Sequence, residues 1–161
     1  MFGWMAVGCV APPVPHDCDL SQPHGVVATS DFLVGALAAV TSSGCVADRL
    51  STTSGDAVVR ATEERLWVVN RTGGEALLGY PHGDYTAPEL EIGTYRFDNP
   101  HDMARVGDEL FVSLYDQAQL RVLDAKDGSE IGQIDLSPWA DSDGRPEADV
   151  LMVVDLSLIH I

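Results

Sequence analysis

Short hydrophobic runs separated by polar turns recur along the chain after residue 23. Four runs are rich in β-branched or aromatic residues: Val26-Val27-Ala28, Leu66-Trp67-Val68-Val69, Leu110-Phe111-Val112 and Leu120-Arg121-Val122-Leu123. Glycine-containing clusters such as Thr72-Gly73-Gly74 and Asp127-Gly128-Ser129 lie between them. No stretch carries the capped apolar stripe, with a 3.6-residue period, that is typical of a helix. The pattern therefore predicts an all-β chain.

The runs repeat at a regular distance. If Val26, Trp67 and Phe111 are equivalent first residues of a strand, the steps between them are 41 and 44 residues. Asp56, Asp102 and Asp149 each open an apolar segment, with steps of 46 and 47 residues. A period in this range with about four short strands per unit is typical of the blades of a β-propeller.

Three stretches after these landmarks resemble one blade of the YVTN-type bacterial β-propeller repeat. They are Phe111 to Asp116, Gln119 to Asp124 and Gly128 to Leu136, while Asn99-Pro100-His101-Asp102 resembles the start of the strand nearest the propeller axis. Leu66 to Arg71 resembles a second copy, and Val26 to Val40 a weaker third. The resemblance implies a partial β-propeller over residues 24–155, with roughly two and a half to three four-stranded blades. It says little about function, because propellers have many unrelated roles.

The N-terminal residues 1–9 form a short apolar run that ends at Cys9. This run resembles the end of a lipoprotein signal peptide, which implies a lipid on Cys9, although no basic segment precedes it and Ala6 replaces the usual leucine. A buried N-terminal strand is the alternative. Residues 10–23 contain four prolines, and this composition predicts a tether. Cys18 and Cys45 then remain as an even pair that can form a disulfide in an oxidising compartment, worth roughly 3 kcal/mol.

The C-terminal hexapeptide, Leu156 to Ile161, matches one reading frame of the adapter DNA used in transposase-based sequencing libraries. We therefore expect residues 156–161 to be a non-native artefact, with the natural chain continuing after Asp155. The alternative is a genuine apolar C-terminal strand. In the repeat, a strand like Leu110-Phe111-Val112 is expected at this position.

The charge balance limits the classes of partner. The chain has 25 acidic and 9 Lys or Arg side chains, and a formal net charge of −16. A nucleic-acid backbone or an anionic lipid surface requires basic residues, so neither is an expected partner. We expect an envelope protein or extracellular ligand as partner, membrane attachment only through the lipid, and a monomeric full-length protein.

Two groups of residues are candidate metal ligands. Asp141 and Asp143, with Gly144 at the turn and Glu147 and Asp149 following, resemble part of a calcium-binding loop, although such spacing is also ordinary turn chemistry. The second group consists of histidines that follow prolines, His24, His82 and His101, with Asp84 or Asp102 as carboxylate ligands. The simpler interpretation is that each imidazole bonds a nearby carbonyl. A divalent cation such as Ca²⁺ is the one cofactor that the sequence suggests.

Motifs for nucleophilic catalysis or nucleotide binding do not occur. The chain lacks Gly-x-Ser-x-Gly, Gly-x-Gly-x-x-Gly and a phosphate-binding loop. The sequence therefore favours an exported, lipid-anchored β-propeller that binds or scaffolds in the bacterial cell envelope, facing the periplasm or the cell surface. The alternative is a metal-dependent propeller hydrolase or lactonase with its site near the axis.

Overall fold

The structure is a computed structural model that describes residues 18–72, 76–93 and 98–154, together with the backbone of residues 157–160. Apart from one short 3-10 turn, Ser137–Trp139, its regular elements are strands, so the all-β prediction is confirmed. The strands are β1 Gly25–Ser30, β2 Val34–Val40, β3 Val46–Ala47, β4 Thr52–Ser54, β5 Ala57–Ala61, β6 Arg65–Asn70, β7 Ala76–Pro81, β8 Leu90–Gly93, β9 Pro100–Val106, β10 Glu109–Leu114, β11 Gln119–Asp124, β12 Glu130–Asp135, β13 Leu151–Val154 and β14 Ser157–His160. Among the described residues, no helix has the length and hydrophobicity needed to cross a membrane.

The strands form three four-stranded antiparallel sheets and one two-stranded pair. Sheet I contains β1 to β4, sheet II runs β5-β6-β7-β8, sheet III runs β9-β10-β11-β12, and β13 pairs with β14. In sheet I both β3 and β4 pair with β2, and hydrogen bonds between Leu37 and residues 50 and 51 continue the pairing between them. The pair β3 and β4 is therefore one interrupted third strand.

The sheets pack face to face in the order in which they occur along the chain. Successive side chains of a strand point to opposite faces, so one strand can contribute to two cores. On β6, Leu66 and Val68 lie in a core shared with sheet I, whereas Trp67 and Val69 lie in a core shared with sheet III. A third core joins sheet III to the segment that leads into β13 and contains Leu120, Leu136 and Leu151. Sheets II and III therefore contribute side chains to a core on each face, whereas β12 is exposed along its whole length.

The repeat predicted that Val26, Trp67 and Phe111 are equivalent first residues of strands, but Val26 is the second residue of β1, and Trp67 and Phe111 are the third residues of β6 and β10. Their partners on the next strand are Ala39, Gly79 and Val122, and each of the three side chains contributes to the core shared with the following sheet. Strand β1 is thus the counterpart of β6 and β10, the second strands of their sheets. In the described part of the chain, sheet I has no strand in the position that β5 and β9 occupy.

The three aspartates that recur along the chain, Asp56, Asp102 and Asp149, each lie in or shortly before the first strand of a repeat unit. Asp56 directly precedes β5, Asp102 lies within β9, and Asp149 lies two residues before β13. Strand β5 lies against β1 and β9, and β9 lies against β13. The first strands therefore form a row in chain order, and a cleft of about 810 Å³ opens along β5, β9 and β13.

Strand directions divide the loops between two rims. Rim 1 carries the β1–β2 turn at Asp31 to Leu33, the residues after β6, the start of β9, the β10–β11 turn and the loop of residues 136–150. A hydrogen bond from the Ser54 amide to Asn70 Oδ1 places the end of sheet I beside the end of β6 on this rim. Rim 2, at the other end of the sheets, carries Thr62 to Glu64, the β7–β8 loop, Gly107-Asp108 and Ala125 to Ser129.

Candidate functional site

His101, near the start of β9, is the centre of a polar cluster on rim 1. Its Nδ1 lies 2.6 Å from Asp149 Oδ1, in the loop before β13. Its ring stacks on Tyr115 with the ring centres 4.5 Å apart, and its backbone oxygen accepts a hydrogen bond from Arg71 Nε. Residues from sheets II and III and from the loop before β13 thus meet at one imidazole.

Asp102, the next residue, points into the protein and is 1% exposed. Arg60 on β5 binds the Asp102 carboxylate through two nitrogens: Nε lies 2.7 Å from Oδ1, and Nη2 donates to Oδ2 at 2.9 Å. The backbone amides of Met103 and Leu151 donate to Oδ1 and Oδ2 respectively. One buried carboxylate therefore ties β5, β9 and β13 together, and each of its oxygens is engaged by protein groups.

Ser113 on β10 connects these two acids through their backbones. Its buried hydroxyl lies 3.2 Å from the backbone oxygen of Asp149 and 3.4 Å from that of Asp102. The serine therefore bonds the loop before β13, which carries Asp149, to the first strand of sheet III. This role fixes the position of the Asp149 carboxylate relative to His101.

Tyr115 lies among carboxylates at the β10–β11 turn. The negative charge of Glu147 raises the pKa of its phenol above the ordinary value of 10.0, and partial burial and the charge of Asp149 act in the same direction. Glu147 has a left-handed backbone, with φ of 48°. Rim 1 therefore presents an aromatic ring in a negative environment, next to the His101–Asp149 pair.

Replacing Glu147 by Gln is expected to lower the Tyr115 pKa towards 10.0, because the phenolate would no longer form beside that carboxylate. The measurement is a pH titration of the Cζ chemical shift in protein with ¹³C-labelled tyrosine. Asp141→Asn is the matched control, since Asp141 is not among the groups that shift this phenol. A Tyr115 pKa that is unchanged in the Glu147 variant would contradict the electrostatic account.

The carboxylates of Asp141 and Asp143 accept hydrogen bonds from backbone amides of their own loop. The Asp143 amide donates to Asp141 Oδ1 at 3.0 Å, and the Arg145 amide donates to Asp143 Oδ1 at 2.9 Å. The bond from the Asp143 amide lowers the pKa of Asp141 below 3.8. Within the described parts of the chain, no group of three or more His, Cys, Asp or Glu side chains is arranged to hold a metal ion.

The other predicted residues lie apart from this cluster. His82 Nε2 lies 2.9 Å from the Thr62 backbone oxygen on rim 2, and Asp84 accepts hydrogen bonds from Thr86 in the same loop. His24 directly precedes β1. Cys9 lies outside the described residues. Cys18 and Cys45 form a disulfide with their Cα atoms 5.8 Å apart.

Three exposed hydrophobic side chains add a second feature to rim 1. Phe32, Leu33 and Trp139 are 93%, 86% and 69% exposed, the highest values for large hydrophobic side chains in the described chain. The turn that displays Phe32 and Leu33 is held firmly. Asp31 Oδ1 accepts the amides of Leu33 and Val34, and Ser30 Oγ accepts the Phe32 amide and donates to the Gly55 oxygen.

The backbone at Phe32 is strained, with φ of 74°, which is rare for a bulky residue. Such strain persists where surrounding bonds fix it, and it is concentrated at functional sites. Gly55 is required beneath the turn, because a Cβ there would lie 2.7 Å from the Phe32 backbone. The strained backbone of this turn lowers stability, and the same turn holds the Phe32 side chain exposed to solvent.

Sequence reasoning missed Arg60, Arg71 and Ser113 as members of the cluster, because their partners are distant in sequence. Phe32 and Leu33 were also missed, since a run such as Phe-Leu-Val reads as a buried strand. The strained turn could have been suspected from Ser30 and Asp31, which are typical turn residues. No protein-family model and no curated protein matches this sequence.

Proposed function

We propose that this chain is part of an exported β-propeller that binds an envelope protein or an extracellular ligand through rim 1. The observation that carries the proposal is the location of Phe32, Leu33 and Trp139, the most exposed large hydrophobic side chains described, on that one rim. Contiguous exposed apolar side chains, such as the neighbours Phe32 and Leu33, are typical of interaction sites, and aromatic residues often supply most of the binding energy.

The arrangement of the sheets supports the propeller part of the proposal. Three antiparallel sheets succeed one another along the chain, the first strands of sheets II and III lie side by side, and β13 lies against β9. Sheets joined in this way are the units of a propeller, in which loops of one rim form a common surface. The similarity to YVTN-type repeats is part of the same proposal.

The disulfide supports export. A bond between Cys18 and Cys45 persists in an oxidising compartment and is uncommon in the cytosol. Together with the signal-like residues 1–9, it favours a lipoprotein of the cell envelope, with Cys9 as the lipid-bearing residue. The net charge of −16 makes a nucleic acid an unsuitable partner.

Photo-crosslinking tests the assignment of rim 1. With a benzophenone amino acid in place of Leu33 or Trp139, we expect one specific crosslinked product in intact cells that express the protein. Lys126 and Asp108 on rim 2 are the matched control positions, and these should give no such product. Equal crosslinking from both rims, or none from rim 1, would contradict the proposal.

Metal analysis separates this proposal from the metal-dependent hydrolase. His101 and Asp149 are the pair that would contribute to such a centre, and both are bonded to each other in the structure. For a binding module we expect no stoichiometric metal in the purified protein. A bound metal that is lost on His101→Ala would instead favour the hydrolase.

A further inference from the structure

Residues 18–23, which precede β1, cross rim 2 and contact both sheet I and sheet II; we call them the strap. At one end Cys18 is bonded to Cys45, in the turn between β2 and β3. Strand β2 ends on rim 2, so this turn belongs to that rim. Further along, Leu20 packs against the core that sheets I and II share. The strap therefore lies over the rim 2 end of this core.

Gly83, in the β7–β8 loop of sheet II, shows how closely the strap approaches that loop. Its backbone is left-handed, with φ of 88°, and a Cβ on it would lie 3.3 Å from the Leu20 backbone oxygen and from Ser21 Cα. The same loop carries Tyr85, whose side chain is buried in the core on which Leu20 packs. Position 83 therefore needs a residue without a side chain to let the strap lie against sheet II.

Apart from the disulfide, the strap is held by few bonds. Within the described residues, backbone hydrogen bonds to sheet I start only at His24, whose amide donates to the Val40 oxygen at 2.7 Å. The Ser21 amide bonds Asp19 inside the strap itself, and Leu20 is half-buried. Segments with little buried apolar surface and few hydrogen bonds open locally while the remaining structure stays folded. The disulfide is therefore the main constraint on the strap.

The packing of sheet I on sheet II has contacts of its own. Leu37 on β2 and Leu66 and Val68 on β6 are buried in the shared core. The Tyr80 hydroxyl lies 2.8 Å from Ser51 Oγ and joins the two sheets by a hydrogen bond. Strand β5 also lies against β1. These contacts remain in place when the strap is removed.

The disulfide is accessible to a reductant, because Cys18 and Cys45 are both only half-buried. A thiolate of a dithiol attacks one of the two sulfurs, forms a mixed disulfide and releases the other sulfur as a thiolate. The second thiol of the reductant then breaks the mixed disulfide. The protein gains two electrons and two protons and ends with two thiols, and the dithiol ends as a disulfide.

We propose that the strap is a redox-controlled device, which the Cys18–Cys45 disulfide closes over rim 2 and which reduction by a dithiol releases while the three sheets stay folded. Release uncovers the place of Leu20 at the margin of the core between sheets I and II. The proposal concerns rim 2 and does not rest on binding at rim 1, so either can fail without the other.

Backbone ¹⁵N relaxation of the full chain with Cys9→Ser tests the proposal, with the protein measured oxidised and then reduced by dithiothreitol. We expect the order parameters of residues 19–22 to fall on reduction from about 0.85, the value of a rigid backbone, to below about 0.6. Those of β6 and β10 are expected to keep the values of a rigid backbone in both forms.

Two variants serve as matched controls. In Cys18→Ser/Cys45→Ser, residues 19–22 should have low order parameters with and without the reductant. Leu20→Ala keeps the disulfide and should leave the strap ordered in the oxidised protein. Unchanged order parameters of residues 19–22 on reduction would show that other contacts hold the strap, and a loss of order throughout β6 and β10 would show that reduction unfolds the sheets. Either result would overturn the proposal.

Discussion

Replacing Asp102 by Ala is expected to lower the free energy of unfolding by about 3 kcal/mol. The change removes a carboxylate that is 1% exposed and leaves the Arg60 guanidinium and the amides of Met103 and Leu151 without their acceptor. Breaking a buried pair costs about 3–5 kcal/mol, and the lower value applies because the Arg60 side chain is 38% exposed.

Urea denaturation followed by tryptophan fluorescence measures this loss. Asp108→Ala is the matched control, because its side chain is fully exposed and its contact with Arg105 is 3.6 Å long, so little change in stability is expected. Arg60→Ala should destabilise the protein nearly as much as Asp102→Ala, since it leaves the carboxylate buried without its cation. A loss below about 1 kcal/mol for Asp102→Ala would show that this acid does not hold the first strands together.

Reduction of the Cys18–Cys45 disulfide is expected to destabilise the chain by about 3–4 kcal/mol. The bond closes a loop between residues 27 positions apart, and opening a loop of this length lowers the free energy of the unfolded state by about that amount through its gain in conformational entropy. The same bond anchors the chain before β1 to the turn between β2 and β3.

The Cys18→Ser/Cys45→Ser double variant and the oxidised protein should be compared in urea, each with and without a reducing agent. We expect the reductant to shift the midpoint of the oxidised protein and to leave the double variant unchanged. Cys9→Ser in both proteins prevents disulfide exchange with the third cysteine. Equal stability of the oxidised and reduced forms would mean that the bond is incidental to the fold.

The sequence predicted the strands and their repeat because both depend on local pattern. Val26, Trp67 and Phe111 were matched by spacing alone, and the structure places each of them in a strand, although none is the first residue of that strand. The unbroken apolar run on β6 is also visible in the sequence, and the structure buries both faces of this strand. Spacing could not show that β1 corresponds to the second strands β6 and β10, because that depends on which edges are paired.

The candidate site was predicted only in part. His101 and Asp149 were both candidate ligands, and the structure brings them into contact across 48 residues. Their neighbours Arg60 and Ser113 come from other strands, and nothing in the sequence indicates which carboxylate an arginine will pair with. Phe32 is exposed on a turn whose backbone is left-handed at this residue, and the pattern of hydrophobic residues does not predict that conformation.

The central claim is that sheets II and III are successive blades around an axis, with the first strands innermost and one rim used for binding. Electron paramagnetic resonance of nitroxide pairs tests this directly. One pair, at Glu63 and Asp108, lies next to the first strands; the other, at Glu91 and Gln133, lies on the equivalent outer strands. The account predicts a clearly longer distance between the outer labels than between the inner labels. Equal distances would indicate sheets stacked in parallel layers and would contradict the propeller.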